Sequence, residues 1–173
     1  MNELSALDQD SSELLENKAS RTAPTPTLIV GIGSPHGDDI VGWEVVNRLQ
    51  TAMSSLFIIK STGSPMRLLD WLKPSYPLHV IDACQSGKPA GTIFKHFWPD
   101  ATLQQQEWSG THDFNLPSVL QLAEQLRLLP DTVVVWGVEG TAFGSGAVAS
   151  PDIQLWAKQC AALIQQELMP HKG

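Results

Sequence analysis

The chain has few cysteines, few basic residues and no long apolar segment. Cys84 and Cys160 are the two cysteines among 173 residues. They form neither a C-x-x-C pair nor a disulfide-dense pattern, which fits a reducing compartment such as the cytoplasm. Eleven Lys and Arg residues against 18 Asp and Glu residues give a formal net charge of −7, which disfavours binding to nucleic acid or to an anionic membrane. No apolar run approaches the roughly 20 residues that cross a bilayer, so we expect a cytoplasmic globular protein.

The sequence also lacks an intact dinucleotide-binding fingerprint. Gly31 and Gly33 follow a strand-like run, but the G-x-G-x-x-G pattern would need glycine where His36 stands. The next strand-like run contains Lys60 at its end and no acid that could accept a ribose hydroxyl. We therefore expect no organic cofactor, and we interpret the glycines as sites of tight turning and close helix packing.

Two parts of the chain differ in composition. Residues 1–27 are rich in serine and acid and lack the apolar stretch of a signal peptide, so we expect a flexible N-terminal tail. Residues 28–169 alternate short apolar runs with amphipathic stretches. This alternation predicts one α/β domain, with a twisted, mostly parallel sheet of about five strands and helices on both faces. The predicted strands are 28–32, 57–59, 78–81, 92–97 and 132–136, the main helices begin near residues 41, 116 and 153, and residues 98–110 are predicted to be irregular.

Acidic and histidine side chains follow the predicted strands, at the edge of the sheet where such folds collect ligands. Asp38 and Asp39 come after the first strand, Asp82 ends the third, and His112 precedes a long helix. Two carboxylates and an imidazole suit Zn²⁺, Ni²⁺, Mn²⁺ or Fe²⁺ and leave coordination positions open. Asp39, Asp82 and His112 are therefore candidate metal ligands, and His36 is a candidate extra ligand or proton carrier. The alternative for the acids is helix or turn capping, for which Asp38 is well placed.

Four segments of the chain form one set of motifs: GIGSPHGDDIVGWEVVNRL (31–49), VIDACQSGKPAGTI (80–93), THDFNLPSVLQLA (111–123) and VVVWGVEG (133–140). Together they resemble the [NiFe]-hydrogenase maturation endopeptidases, over about residues 27–168. In that family these motifs supply a nickel-binding site, which by resemblance places that role on Asp39, Asp82 and His112. The resemblance implies a mostly parallel α/β fold and removal of a C-terminal extension from the nickel-loaded precursor of a hydrogenase large subunit. Nickel would then be recognised in the substrate, without a permanently bound metal.

The sequence allows several hypotheses about the chemistry. Either nickel polarises the scissile carbonyl and activates water, or a free carboxylate such as Asp38 acts as the general base. Asp38, Asp39 and Asp82 are the candidate catalytic residues of an aspartic-type endopeptidase. Competing classes are a thiol hydrolase that uses Cys84 with His112 and a non-catalytic, nickel-dependent chaperone of the large subunit. We expect a monomer, with residues 98–110 and 140–150 setting the choice of client.

Overall fold

The computed structural model describes residues 25–53, 55–108 and 114–169. Within these ranges six strands form one sheet, in the spatial order β2-β1-β3-β6-β4, with β5 paired to the end of β3. β2, β1, β3 and β6 run parallel, whereas β4 is antiparallel to β6 and β5 is antiparallel to β3. The strands are β1 (Thr27–Ile32), β2 (Phe57–Thr62), β3 (Leu78–Gln85), β4 (Ile93–Phe97), β5 (Glu107–Trp108) and β6 (Val133–Glu139).

Helices cover both faces of this sheet. On one face, α1 (Val41–Ala52) and α4 (Ile153–Leu168) pack over a core that includes Ile29, Ile81 and Trp136. On the other face, the short α2 (Leu68–Trp71) and α3 (Leu116–Gln125) cover the alternate strand residues. The central strands are therefore buried on both sides, which is why their sequences are continuous apolar runs without alternation.

Close glycine packing sets α1 against the carboxyl ends of two strands. A Cβ on Gly42 would overlap the carbonyl oxygen of Ile32 and would lie 2.9 Å from that of Ile81. A Cβ on Gly31 would likewise overlap the Gly42 carbonyl oxygen. Because neither position has room for a side chain, the first turn of α1 lies directly on the ends of β1 and β3.

The predicted fold class is confirmed, with some differences in detail. The sheet has six strands, because residues 98–110 contain a 3-10 turn (Ala101–Gln105) and β5 where the sequence indicated irregular structure. The predicted apolar stripe of α3 included Leu126, but α3 ends at Gln125 and Leu126 is exposed. Residues 1–24 of the predicted tail lie outside the described residues. No helix within the described ranges is long and apolar enough to cross a membrane.

Candidate functional site

A 3-10 turn, Gly37–Ile40, carries two adjacent acids to the carboxyl edge of the sheet. The turn follows β1, leads directly into α1 and contacts β3. Asp39 is half-buried, and within the described part of the chain its Oδ1 atom is buried without a hydrogen-bond partner. Buried carboxylate oxygens nearly always have a partner. Asp39 Oδ1 is therefore a buried acceptor whose partner is not found among the described residues.

Asp82 lies near the end of β3, at the same edge of the sheet. Its side chain is fully buried, and its backbone is paired with Gly137 of β6. The preceding residue, Ile81, has its carbonyl oxygen beside Gly42 of α1, so the segments that carry Asp39 and Asp82 meet at this edge. Parallel strands place the residues that follow them together in this way.

The third predicted ligand, His112, lies outside the described residues. In the described ranges no group of three His, Cys, Asp or Glu side chains is arranged to hold a metal ion. The chain is described up to Trp108, which is paired with Cys84, two residues beyond Asp82. It is described again from Phe114, and Asn115 then caps α3 by accepting a hydrogen bond from the Ser118 N–H at 3.0 Å. The three-residue ligand set remains a prediction.

Asp38 is neither a helix cap nor a free carboxylate, contrary to both sequence hypotheses. Its side chain is fully buried and accepts hydrogen bonds from the loop that follows β6. Burial acts to raise the pKa of Asp38, but the hydrogen bonds from the backbone N–H groups outweigh burial and lower it below 3.8. The carboxylate is thus held ionised and fully occupied, which does not suit a general base. Its donors are the N–H groups of Thr141 (2.8 Å), Ala142 (3.0 Å) and Ser150 (2.6 Å) and the Ser150 hydroxyl (2.8 Å).

A second buried carboxylate, Glu139, holds the loop on the other side of the site. Glu139 is the last residue of β6, and it accepts hydrogen bonds from the Ser86 N–H at 2.9 Å, the Ser86 hydroxyl at 2.7 Å and the Gly87 N–H at 2.9 Å. No role was predicted for Glu139 from the sequence. The sequence signal for this role is an acidic residue at the end of an otherwise apolar strand.

Cys84 lacks the environment of a thiol nucleophile. It is fully buried in β3, where its thiol lies 3.9 Å from Glu139 Oε2. Burial, together with the negative charges of Glu139 and Asp82, raises the pKa of Cys84 to about 12. A catalytic cysteine needs the opposite shift, because the thiolate is the nucleophile. Cys160 is buried in α4, as predicted, and burial raises its pKa to about 12 as well.

His36 and His79 occupy contrasting environments. His36 is exposed, and its Nδ1 atom accepts a hydrogen bond of 3.4 Å from the Gly146 N–H. His79 is buried in β3, where its Nδ1 atom accepts a hydrogen bond from Trp136 Nε1 at 3.1 Å. Burial, aided by the positive charge of Lys95, lowers the pKa of His79 to about 4, despite an opposing effect of Glu167. His79 is therefore a neutral core residue, whereas His36 lies at the rim of the site.

Solved structures share this arrangement of strands and helices. HybD, the hydrogenase maturating endopeptidase of E. coli, matches with a TM-score of 0.69 and 18% identity, over 83% of this chain and 91% of that one. The [NiFe] hydrogenase maturation protease HybD of Thermococcus kodakarensis matches with a TM-score of 0.63 and 13% identity, over 82% of this chain and 98% of that one. HycI of the same archaeon matches with a TM-score of 0.59 and 22% identity, over 90% and 98%.

The fold is that of hydrogenase maturation proteases. The resemblance seen in the sequence is thus confirmed for the fold. No protein-family model and no curated protein matches this sequence. The maturation-protease fold places the 37–40 turn, Asp82 and the two loops held by Asp38 and Glu139 around one edge of the sheet.

Proposed function

We propose that this protein is an endopeptidase that removes the C-terminal extension of a nickel-loaded [NiFe]-hydrogenase large-subunit precursor. The observation that carries the proposal is the fold shared with maturation proteases over more than four fifths of this chain. Three of the segments that resemble this family, 31–49, 80–93 and 133–140, include the 37–40 turn, Asp82 and Glu139. The two unpaired, buried cysteines are compatible with a reducing compartment, and we propose the cytoplasm.

The proposed site residues divide into two roles. Asp39, Asp82 and His112 receive the nickel ion that the precursor carries, and this contact places the scissile peptide at the edge of the sheet. The buried Oδ1 atom of Asp39, which has no hydrogen-bond partner among the described residues, supports this role, because a carboxylate oxygen is a suitable ligand for a divalent cation. Asp38 acts as a positioning residue, since all its hydrogen bonds hold the neighbouring loop. Of the two acids in the 37–40 turn, Asp39 is the one available for chemistry.

The test is the mass of a nickel-loaded precursor before and after incubation with the protein. Loss of a single C-terminal peptide is expected. Asp39→Asn, Asp82→Asn and His112→Ala should each slow processing on the order of 100-fold or more, the range seen for direct catalytic contributions. Asp70→Asn is the matched control, because Asp70 is an exposed acid paired with Arg67 on the surface. Normal processing by all three site variants would refute the assignment.

Two competing functions give different results in the same assay. A nickel-dependent chaperone would associate tightly with the precursor and leave its mass unchanged. A thiol hydrolase would lose activity in Cys84→Ala, whereas the proposed enzyme should keep it, because the Cys84 thiol is buried and its pKa is raised. Processing of a nickel-free precursor at the same rate would contradict recognition of the ion.

A further inference from the structure

The loop of residues 141–150, between β6 and α4, is uncharged, although the chain carries a net charge of −7. No charged residue occurs from Gly140 to Pro151. Val148 is the most exposed large apolar residue among those described, with 85% of its surface accessible. Single exposed apolar residues are common on protein surfaces. The exposure of Val148 is informative because hydrogen bonds hold the loop in place and because the loop lies next to the candidate site.

The 141–150 loop is tied to the turn that carries Asp39. Besides the bonds to the Asp38 carboxylate, the Gly37 N–H donates to the Ala147 carbonyl at 2.8 Å, and the Asp38 N–H donates to the Ala142 carbonyl at 2.7 Å. A Cβ on Gly37 would overlap the Ala142 carbonyl oxygen, which shows how closely the two segments approach. The backbone on both sides of Val148 is therefore fixed relative to the candidate site.

A fixed loop binds an extended segment with less loss of conformational entropy than a mobile loop. It also keeps Val148 in contact with water in the free protein. Covering one valine side chain improves affinity about tenfold or more. An uncharged, weakly polar segment of a partner would lose the least solvation free energy on binding here. A charged segment would lose its hydration without gaining an ion pair, because the loop carries no charge.

We infer that the 141–150 loop is the docking surface for the client's chain next to the scissile bond, with Val148 contacting an apolar side chain of that segment. This inference rests on the proposed function. The loop is continuous with the candidate site through Gly37 and Asp38. Val148 is a specificity-determining residue and takes no part in bond cleavage.

The experiment compares Val148→Asp with Leu126→Asp. Leu126 is also apolar and exposed, with 54% of its surface accessible, and it lies at the far end of α3. Equilibrium binding to the nickel-loaded precursor and the KM and kcat of processing are measured for both. Val148→Asp should raise Kd and KM about tenfold or more and leave kcat and the Tm unchanged. Leu126→Asp should change none of them.

The outcomes separate this inference from the proposed function. If the precursor binds but is never shortened, and Val148→Asp weakens this binding, the endopeptidase function is refuted and the docking surface is supported. Normal processing with unchanged KM and Kd in Val148→Asp overturns the docking surface alone. If the protein self-associates, and Val148→Asp converts it to a monomer without changing precursor binding, a second copy of the chain covers the loop. This result also overturns the docking surface. Absence of both binding and cleavage overturns both proposals.

Discussion

Asp38 and Glu139 are two buried carboxylates that hold loops at the carboxyl edge of the sheet. Each is fully or almost fully buried, and each accepts backbone N–H groups from a loop at the edge of the sheet. Charge-assisted hydrogen bonds of this kind are stronger than those between neutral groups. Removing the charge would leave several buried N–H donors poorly satisfied. The two acids therefore hold the 141–150 loop and the backbone of Ser86 and Gly87 in place.

His79 makes the stability of the protein depend on pH. Its folded pKa of about 4 lies below the ordinary value of 6.5 because the ring is buried. Between these values the unfolded chain binds a proton that the native protein does not, so stability falls as the pH falls through this range. The loss reaches about 2 kcal/mol at pH 5.

The measurement compares the wild type with His79→Asn, whose side chain does not titrate. Urea unfolding at pH 7 and pH 5 should show that the wild type loses about 2 kcal/mol more than the variant. The remaining histidines are common to both proteins, so their effects cancel. An equal loss in the two proteins would show that His79 is protonated in the native state.

Among the larger elements, the packing of α1 on β1 and β3 is the contact on which the site depends most directly. Gly42 lies against the carbonyl oxygens of Ile32 and Ile81, and the Asp39 turn immediately precedes this helix. Any displacement of α1 along its axis would move Asp39 relative to Asp82.

Gly42→Ala is expected to destabilise the protein by about 1–3 kcal/mol, because the added methyl group overlaps backbone that cannot rotate away. Alanine favours an isolated helix over glycine by about 1 kcal/mol, so any net loss reflects tertiary packing. Gly63→Ala is the matched control, since its nearest contact, the Gly33 carbonyl oxygen, would lie at an ordinary 3.5 Å. Urea unfolding measures both, and an unchanged or raised midpoint for Gly42→Ala would contradict the packing described.

At the scale of the whole molecule, the core of the described ranges begins with β1. The first buried apolar residue there is Leu28, and the sheet and both helical layers are formed by residues from Thr27 onward. Residues 1–24 carry five acids and two bases, which account for three of the seven net negative charges.

A chain that begins at residue 25 should therefore keep its Tm within about 2 °C and process the precursor at the wild-type rate. Thermal unfolding followed by circular dichroism and the mass assay measure the two properties. A marked fall in Tm would show that residues 1–24 contribute to the fold, and a fall in rate alone would give them a role in binding the client.

Most elements of the fold could be predicted from local sequence patterns. Buried parallel strands produce apolar runs such as Val133-Val134-Val135, and amphipathic helices produce an apolar stripe such as that of Leu116 and Leu120, so the α/β class and most elements were predicted. β5 was missed because a two-residue strand leaves no periodic signal. The acids at positions 39 and 82 were found because parallel strands bring their carboxyl ends together.

The amino-acid pattern was thus sufficient for the sheet, its helical layers and the acids at its carboxyl edge, because these properties depend on neighbouring residues along the chain. The hydrogen bonds that each acid accepts depend on contacts between distant segments. The donors to Asp38 lie 103 to 112 residues away, and those to Glu139 lie 52 and 53 residues away. Burial and hydrogen bonding determine the state of a carboxylate, and both arise when the sheet brings remote loops together.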